Sequence, residues 1–376
     1  MIASRPALTL LCAVVRGDDV TPPEAEQQDP LLDLAREHRV ERLAAWRIGD
    51  AQLNAWFGAA AEELRAEARA HAVTEAVHAR EMRDVIEALA SIDGARPTLF
   101  KGTALAHSHY PKPWLRPRLD SDILISPSHV DRALASLRGL GYEREIATSG
   151  SLVTSQASFS RVDRFGVTHV VDLHWHIANM QVIARMLSHG EIARRAVPLP
   201  GLGPDARAAS PSDALTLACL HRAAHHRDSE ELLWIYDIHL LAVSLSESDW
   251  NAVVATAEQG AAKALCARGL TLAIDRFRTP VPQQVMRRLD SRQRSTGREP
   301  SSVFLSKDLR LVDGLMSDLR SLPARARIRL LAEHLFPPAD YIRARYHATS
   351  RLSLVFSYVR RIAAGLPKWF AVRGGS

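Results

Sequence analysis

The sequence contains little cysteine, little lysine and few aromatic residues, and it has no long apolar run. Its three cysteines in 376 residues, Cys12, Cys219 and Cys266, lie far apart, which excludes a disulfide framework and a four-thiolate zinc site. The longest apolar stretch near the start, residues 7–15, is too short to span a bilayer, and no other span is visible. We therefore predict a protein of the reducing cytoplasm with no membrane span.

The apolar stretch at residues 7–15 has one weak feature of a signal peptide, because the basic residue Arg5 precedes it. Arg16, Asp18 and Asp19 follow at once, however, and no small-residue cleavage site is present. We predict that this stretch is a buried helix of the fold.

Aromatic residues make up only 6% of the chain, and no interleaved aromatic platform of the kind that binds single strands is evident. Basic charge, in contrast, is concentrated in the last third. Residues 1–250 carry 26 Lys and Arg against 33 Asp and Glu, a net −7, whereas residues 251–376 carry 22 against 9, a net +13. Such a region can attract a polyanion, although solvated faces of arginine-rich helices would give the same composition.

The order of the apolar patterns predicts an α+β protein in three parts. Helical periodicity fills residues 28–90 and the chain from Pro211 onward, whereas short β-type runs occupy the middle. We predict a helical N-terminal segment, a small mixed-sheet α/β core and a larger helical C-terminal domain, with the bounds 1–90, 91–200 and 201–376. The predicted strands are 97–100, 119–125, 151–160 and 169–177. A polar stretch over 290–302 is the best candidate for a long loop.

The first chemical feature is a predicted strand that ends at Lys101-Gly102-Thr103 and continues as a helix. Glycine permits close approach to the backbone, the first helical turn offers free N–H groups, and lysine adds a cation, so the turn suits a phosphate. Only five of the 48 basic residues are lysines, so a lysine in a candidate site is worth noting. Strand–glycine–helix turns are nevertheless common without any ligand.

The second feature is a pair of carboxylates, Asp120 and Asp122, at the start of the next predicted strand. Residues i and i+2 of a strand project to the same side, so both carboxylates are expected to point one way. Two like charges at close range are costly unless a cation lies between them, and Mg²⁺ prefers such oxygen ligands. The alternative is a solvated strand edge.

The third feature is a single carboxylate, Asp172, within an apolar strand that continues through His174 and His176. A buried carboxylate needs a partner, which either a metal ion or backbone hydrogen bonds would provide. By strand alternation both histidines share the face of Asp172, and we expect them to pack or to orient neighbours rather than to bind metal.

Taken in order, these motifs resemble the uncharacterised nucleotidyltransferase family of bacterial proteins, within the polymerase-β-like superfamily. That family shows an LKG turn, an R-P-x-x-D-x-D block and a later D-L-H-W strand. The matching segments here are FKGTALA at 100–106, RPRLDSD at 116–122 and VDLHW at 171–175. Segments at 217–225, 233–238 and 335–346 are similar to its helical C-terminal half, so the resemblance covers nearly the whole chain.

The resemblance implies roles for the residues at the matching positions. The positions implied to be catalytic, and to hold two Mg²⁺ or Mn²⁺ ions, are Asp120, Asp122 and Asp172. The positions implied to bind the nucleotide phosphates are Lys101, Gly102, Thr103, Arg116 and Arg118. Two ions at such a site would activate the attacking oxygen and stabilise the leaving pyrophosphate, while the arginines would clamp phosphate oxygens.

Two histidines complete the candidate site, His174 and His221, which we assign an orienting or acceptor-side role. His221 and Asp237 match recurrent positions of the family in helical runs, and a structural hydrogen bond between helices is expected there. The alternative is that His221 reaches the acceptor end of the cleft. The adjacent residues His225 and His226 are not expected to form a two-histidine metal site, because neighbours on a helix face apart.

The leading hypothesis is therefore a metal-dependent enzyme that moves a nucleoside monophosphate from an NTP to an acceptor hydroxyl or phosphate. One alternative is a relative that binds nucleotide for regulation without turnover. The other is an RNA-directed protein, such as a tRNA-modifying, toxin-like transferase. The acceptor stays open among a sugar phosphate, a peptide or protein side chain and an RNA end, and neither the base nor the oligomeric state is specified.

Overall fold

A mixed β-sheet lies at the centre of the protein, and helices from both halves of the chain pack around it. The structure, a computed structural model, describes residues 5–145, 152–290 and 299–371. Most of the loop predicted over 290–302 lies outside these described residues, as does Ser151 at the start of one predicted strand. The prediction of an α+β fold is confirmed.

The elements follow the predicted order. The helices are α1 Arg5–Arg16, α2 Ala25–Glu37, α3 Glu41–Ile48, α4 Leu53–Phe57, α5 Ala61–Ala90, α6 Lys101–Ser108, α7 Val130–Gly139, α8 Gln181–Ala184, α9 His189–Arg195, α10 Pro211–Ala224, α11 Leu232–Ser244, α12 Glu247–Gln259, α13 Lys263–Phe277, α14 Gln283–Leu289, α15 Leu311–Ser321, α16 Ala324–Leu335, α17 Ala339–Tyr346 and α18 Arg351–Phe370. The strands are β1 Thr98–Phe100, β2 Ser121–Leu124, β3 Glu143–Arg144, β4 Gln156–Val162, β5 Thr168–His174, β6 Val197–Pro198 and β7 Arg207–Ala208.

Within the described ranges the sheet has seven strands in the order β3-β4-β5-β2-β1-β7-β6. Strand β2 is antiparallel to β1 and parallel to β5, and β5 is antiparallel to β4. The four central strands correspond to the four predicted ones. The two-residue strands β3, β6 and β7 were not predicted, because so short a segment has no periodicity to detect.

Alternation along the central strands gives the sheet two different faces. One face carries apolar side chains such as Leu99, Ile123, Phe159 and Val171, which are buried in a cluster with residues of α5 and α7. The opposite face carries the polar residues of the motifs together with Phe100, which packs with residues of α8, α10 and α13. The apolar face fixes the register of the strands, since a slip by one residue would exchange the two faces.

Helices that precede the sheet and helices that follow it share one hydrophobic cluster. It joins residues of α1–α5 to residues of α10–α14, and the Arg16 guanidinium of α1 donates to the carbonyl of Arg276 in α13 at 3.3 Å. The stretch predicted as a buried helix lies in α1, where Leu11 to Val15 are buried. The division of the chain into three domains stays a prediction.

The last four helices, α15–α18, lie beyond this shared cluster. The longest of them, α18, exposes several large apolar side chains, among them Leu352, Val355 and Phe356. None of the described helices combines the length and the apolar character needed to cross a bilayer.

The fold makes a testable prediction about Phe159, whose ring is completely buried under the sheet. Phe159→Ala is expected to lower the free energy of unfolding by about 3–5 kcal/mol, because it leaves a cavity that the neighbouring side chains fill incompletely. Phe165→Ala, in the turn between β4 and β5, is the matched control, since that ring is 67% exposed. Both variants are measured by urea unfolding. Equal losses of the free energy of unfolding would contradict the assigned faces of the sheet.

Candidate active site

A row of side chains crosses four strands of the sheet on its polar face. Phe100 of β1 pairs with Asp122 of β2, Asp122 pairs with Asp172 of β5, and Asp172 pairs with Ser158 of β4. Directly paired residues project to the same face of a sheet. The register therefore brings Asp122 and Asp172 side by side, although 50 positions separate them in the sequence.

Asp122 is buried and accepts two hydrogen bonds at the same oxygen. The ammonium Nζ of Lys101 lies 2.7 Å from its Oδ1, and Nε2 of His174 lies 2.8 Å from that atom. Burial by itself would raise the pKa of the carboxyl, but the lysine cation and the histidine outweigh burial and hold the pKa well below its usual range. Asp122 is thus an ionised carboxylate whose charge Lys101 balances.

Asp172 lies at the edge of a cleft that Asp122 also lines, and it receives one hydrogen bond at each of its carboxylate oxygens. The Ser158 hydroxyl donates to Oδ1 at 2.5 Å, and the Gln156 amide donates to Oδ2 at 3.1 Å. Both donors come from β4, the strand beyond β5. These bonds fix the rotamer of Asp172 so that its carboxylate stays directed at Asp122.

Asp120 lies immediately before β2 and lines the same cleft as Asp122 and Asp172. Burial and the negative charges of those two carboxylates raise the pKa of Asp120 to about 6. No hydrogen bond to its carboxylate is found among the described residues. Three carboxylates that repel one another are the kind of group that a divalent cation stabilises.

The group of ligand atoms that best fits a metal ion differs from the predicted set. Atoms of Asp122, Asp172 and His174 lie within 4.8 Å of one another, whereas Asp120 is not part of that group. Nδ1 of His174 is buried and lacks a hydrogen-bond partner within the described ranges. The residues therefore fit a divalent cation. Two carboxylates and an imidazole would surround the ion, and Asp120 faces the same cleft.

Lys101 begins helix α6 in a backbone conformation that side chains rarely adopt. Its φ is +58°, in the left-handed region that costs a non-glycine residue about 1–3 kcal/mol. The side chain lies over the Phe100 ring, with Nζ 4.8 Å from the ring centroid, and reaches Asp122. These contacts offset the strain, and strain of this kind is concentrated at functional sites.

Gly102 and Thr103 hold the first turn of α6 against the loop before β2. A Cβ atom on Gly102 would lie 2.6 Å from Nη1 of Arg116, so no larger residue fits without displacing that guanidinium. The buried hydroxyl of Thr103 lies 2.8 Å from the Ser121 hydroxyl. The Thr103 side chain thus connects α6 to β2, and a phosphate contact by this turn stays a prediction.

Arg116, which was predicted to clamp phosphate, forms a buried ion pair with Asp237 of α11. Its Nη2 donates to Oδ2 at 2.6 Å and its Nε donates to Oδ1 at 3.0 Å. The Tyr110 hydroxyl donates to the same Oδ1 at 2.8 Å. A hydrogen bond between helices was expected at Asp237, but its partners, Arg116 and Tyr110, lie outside the helices in the segment between α6 and β2. A contact between Arg116 and phosphate stays a prediction.

Arg118 is also paired, on the opposite side of the loop. Both of its terminal nitrogens lie 2.7 Å from carboxylate oxygens of Glu75 in α5, and His107 Nε2 lies 2.9 Å from Glu75 Oε1. Burial opposes ionisation of Glu75, yet the hydrogen bonds from His107 and Arg118 lower its pKa to about 2. The phosphate role of Arg118 stays a prediction and would require this pair to rearrange.

Three histidines and Trp234 form the wall of the cleft opposite the sheet. His221 Nε2 lies 3.0 Å from His226 Nε2, and the His226 ring stacks on Trp234 with centroids 4.1 Å apart. Burial and the Lys101 cation lower the pKa of His225 to about 3, and burial with the Arg39 cation lowers that of His226 to about 4. Both rings are therefore neutral near pH 7.

Sequence reasoning placed His221 near the cleft but missed His225, His226 and Trp234. The prediction treated His225 and His226 as helical neighbours that face apart. In the structure α10 ends at Ala224, and both residues lie beyond it. The cleft enclosed by this wall and the carboxylates has a volume of about 360 Å³. His176 is not among the residues that line it.

Comparison with known protein families agrees with this geometry. A family model described as "Uncharacterised nucleotidyltransferase" matches residues 24–278, which is more than half of the chain. The chain therefore belongs to this nucleotidyltransferase family, as the motifs predicted. No curated protein matches the chain.

The Arg116–Asp237 pair generates a prediction about stability. Asp237→Leu is expected to lower the free energy of unfolding by about 3–5 kcal/mol, because it leaves the Arg116 charge buried without a partner. The double variant Arg116→Met/Asp237→Leu should be more stable than Asp237→Leu, since no buried charge remains. Arg36→Met, at an exposed pair with Glu63, is the control and should cost less than about 1 kcal/mol. Equal losses for Asp237→Leu and Arg36→Met in urea unfolding would contradict the assignment.

Glu75 generates a prediction about pH. Because its pKa is lowered from 4.5 to about 2 in the folded chain, its ionised form stabilises the fold above pH 4.5, and this contribution is lost as the pH falls toward 2. Glu75→Gln should therefore be less stable than wild type by at most about 3 kcal/mol at pH 7. The difference should shrink as unfolding is repeated from pH 6 down to pH 3. A difference that stays constant over this range would be inconsistent with a lowered pKa.

Proposed function

We propose that this nucleotidyltransferase-family chain binds an NTP together with Mg²⁺ and transfers its nucleoside monophosphate to an acceptor hydroxyl. The observation that supports the proposal most directly is the pairing of Asp122 with Asp172 across two parallel strands. Asp120 faces the same cleft, and the glycine turn at Gly102 opens beside them. Carboxylates, a glycine turn and a nearby lysine are the groups that phosphoryl chemistry requires.

Asp122 and Asp172 are the residues that would hold the metal, with Asp120 and His174 completing the site. Two ions are expected from the family resemblance. When bound, Mg²⁺ or Mn²⁺ would neutralise charge on the triphosphate and on the leaving pyrophosphate. Lys101 balances Asp122 in the structure, and we propose that its ammonium turns to a phosphate oxygen when a cation takes its place at Asp122.

The cleft offers a nucleotide both a phosphate end and an aromatic end. Its phosphate end is the Lys101–Gly102 turn, where the first turn of α6 offers backbone N–H groups and the Arg116 guanidinium packs against Gly102. Its other end is the neutral wall of His221, His226 and Trp234. The volume of about 360 Å³ lies within the range of small-ligand sites, about 300–1,000 Å³. We propose that the base and ribose lie against this wall.

The proposed reaction is a single displacement at the α-phosphorus. The acceptor hydroxyl oxygen forms a bond to this phosphorus, the bond from the phosphorus to the bridging oxygen of the β-phosphate breaks, and pyrophosphate leaves. The hydroxyl proton passes to a carboxylate of the site. Asp120 is the best candidate, because Asp122 and Asp172 already accept hydrogen bonds at the positions described.

A second candidate function, nucleotide binding without turnover, is favoured by one observation. The Lys101 ammonium is paired with Asp122 at 2.7 Å, and a relative that no longer performs catalysis would keep such a pair. This alternative predicts NTP binding without pyrophosphate release. An RNA acceptor and a cytoplasmic location stay predictions.

Calorimetric titration with each of the four NTPs, with and without Mg²⁺, tests the proposal. Wild type should bind one NTP in a Mg²⁺-dependent manner, and Asp120→Asn/Asp122→Asn should lose at least about tenfold in affinity, a change of about 1.4 kcal/mol. Asp205→Asn, in an exposed loop away from the cleft, is the matched control and should bind like wild type. Absence of binding by every NTP would remove the main support for the transferase. Binding without pyrophosphate release would favour the second candidate.

A further inference from the structure

A second cavity beside the nucleotide cleft also reaches Asp120. Arg118, Leu119 and Asp120 line the cleft, and they also line a polar cavity of about 170 Å³. We call this cavity the polar neck. Asp120 therefore borders both the nucleotide cleft and the polar neck, as a group must do if it contacts both a nucleotide and an acceptor.

The polar neck adjoins a larger cavity of about 490 Å³, since Arg42, His71 and Trp114 line both. We call the larger cavity the tryptophan pocket. It lies among α3, α5 and the loop before β2, and its apolar wall consists of Ala45, Trp46, Leu53, Leu64, Ala68 and Trp114. Two indoles beside small aliphatic residues form a surface suited to a flat apolar ring.

The charges around the tryptophan pocket are balanced, which argues against a phosphate-rich occupant. Its three carboxylates and three guanidiniums belong to Glu41, Asp50, Glu67, Arg42, Arg65 and Arg69. Arg65 is already bonded to Asp50, with Nε 2.6 Å from Oδ1. A nucleic-acid end would need an excess of basic residues, so an uncharged occupant fits this wall better.

The wall also contains two buried polar atoms whose hydrogen-bonding capacity is not used. Oε2 of Glu41 and Nε of Arg42 have no hydrogen-bond partner within the described chain, and that Nε lies 3.5 Å from the other oxygen of Glu41. Buried polar groups normally have a partner, and a ligand is one explanation when the protein provides none. Both residues line the tryptophan pocket, and Arg42 also lines the polar neck.

We propose that the tryptophan pocket is the acceptor subsite and that the acceptor is an uncharged small molecule with an aromatic ring and a hydroxyl group. The ring lies between Trp46 and Trp114, and the hydroxyl arm passes through the polar neck to Asp120. This inference rests on the proposed transferase function and specifies its acceptor class. The transfer joins the hydroxyl oxygen to the α-phosphorus of the NTP and releases pyrophosphate.

Indole-3-ethanol is a suitable probe, because it combines an uncharged aromatic ring with a primary hydroxyl. Its binding to the full chain is measured by ligand-detected NMR, with glycerol as a hydroxyl compound that lacks a ring. Ala68→Phe fills the tryptophan pocket, whereas Ala66→Phe adds the same ring at an exposed position of the same helix α5. Indole-3-ethanol should bind wild type and Ala66→Phe equally, and Ala68→Phe at least about tenfold more weakly.

The orientation of the probe is measured separately with Mn²⁺. Paramagnetic relaxation from Mn²⁺ at the carboxylates should affect the hydroxymethyl protons more than the ring protons, and Asp120→Asn/Asp122→Asn should abolish the effect. Mg²⁺ is the diamagnetic control. Stronger relaxation of the ring protons would place the ring toward Asp120 and would overturn the proposed arrangement.

Three results would overturn the proposal: no binding of indole-3-ethanol, equal binding to wild type and Ala68→Phe, or displacement of the probe by a short single-stranded RNA. NTP titrations of the same proteins separate this inference from the function on which it rests. If NTP binds and the probe does not, the acceptor class is wrong while the nucleotide site stands. If the probe binds and no NTP does, the pocket binds rings but its assignment as an acceptor subsite is wrong.

Discussion

The buried ion pair between Arg116 and Asp237 is the interaction on which the geometry of the site depends. Arg116 belongs to the loop before β2 and Asp237 to α11, and Tyr110 bonds to the same carboxylate. The Arg116 guanidinium also fills the space left by the missing side chain of Gly102. One pair therefore fixes the loop, the first turn of α6 and a C-terminal helix relative to one another. Since Asp120 is only four residues beyond Arg116, its position depends on the same contact.

The site concentrates negative charge and balances it with few cations. Asp122 is stabilised by Lys101 and His174, whereas the pKa of Asp120 is raised by burial and by the neighbouring carboxylates, which repel its ionised form. Two carboxylates of one motif, two residues apart, thus differ in pKa, because Asp122 is hydrogen-bonded to a lysine cation and Asp120 is not. This difference makes the site responsive to any cation that enters it, whether from the protein or from solution.

Much of the site follows from local sequence pattern, and the rest follows from contacts that no local pattern contains. The motifs predicted the family, and the family resemblance predicted that Asp120, Asp122 and Asp172 belong to one metal site. The partner of Arg116 is 121 residues away, so its spacing gives no signal. His226 and Trp234 meet because α10 ends before the first of them, and the end of a helix is predicted less reliably than its existence. The tryptophan pocket depends on the packing of α5 beside Trp114, which is tertiary information.

The cluster that joins α1–α5 to α10–α14 has a consequence for synthesis of the chain. Leu11 and Val15 are buried in that cluster together with Phe277, so part of their burial requires residues made more than 260 positions later. While the ribosome extends the chain, the apolar face of α1 is without those partners and is exposed to chaperones and to other nascent chains. The central strands β1, β2, β4 and β5 are also made before His221 and Trp234, so the sheet can pair ahead of the wall that borders the cleft.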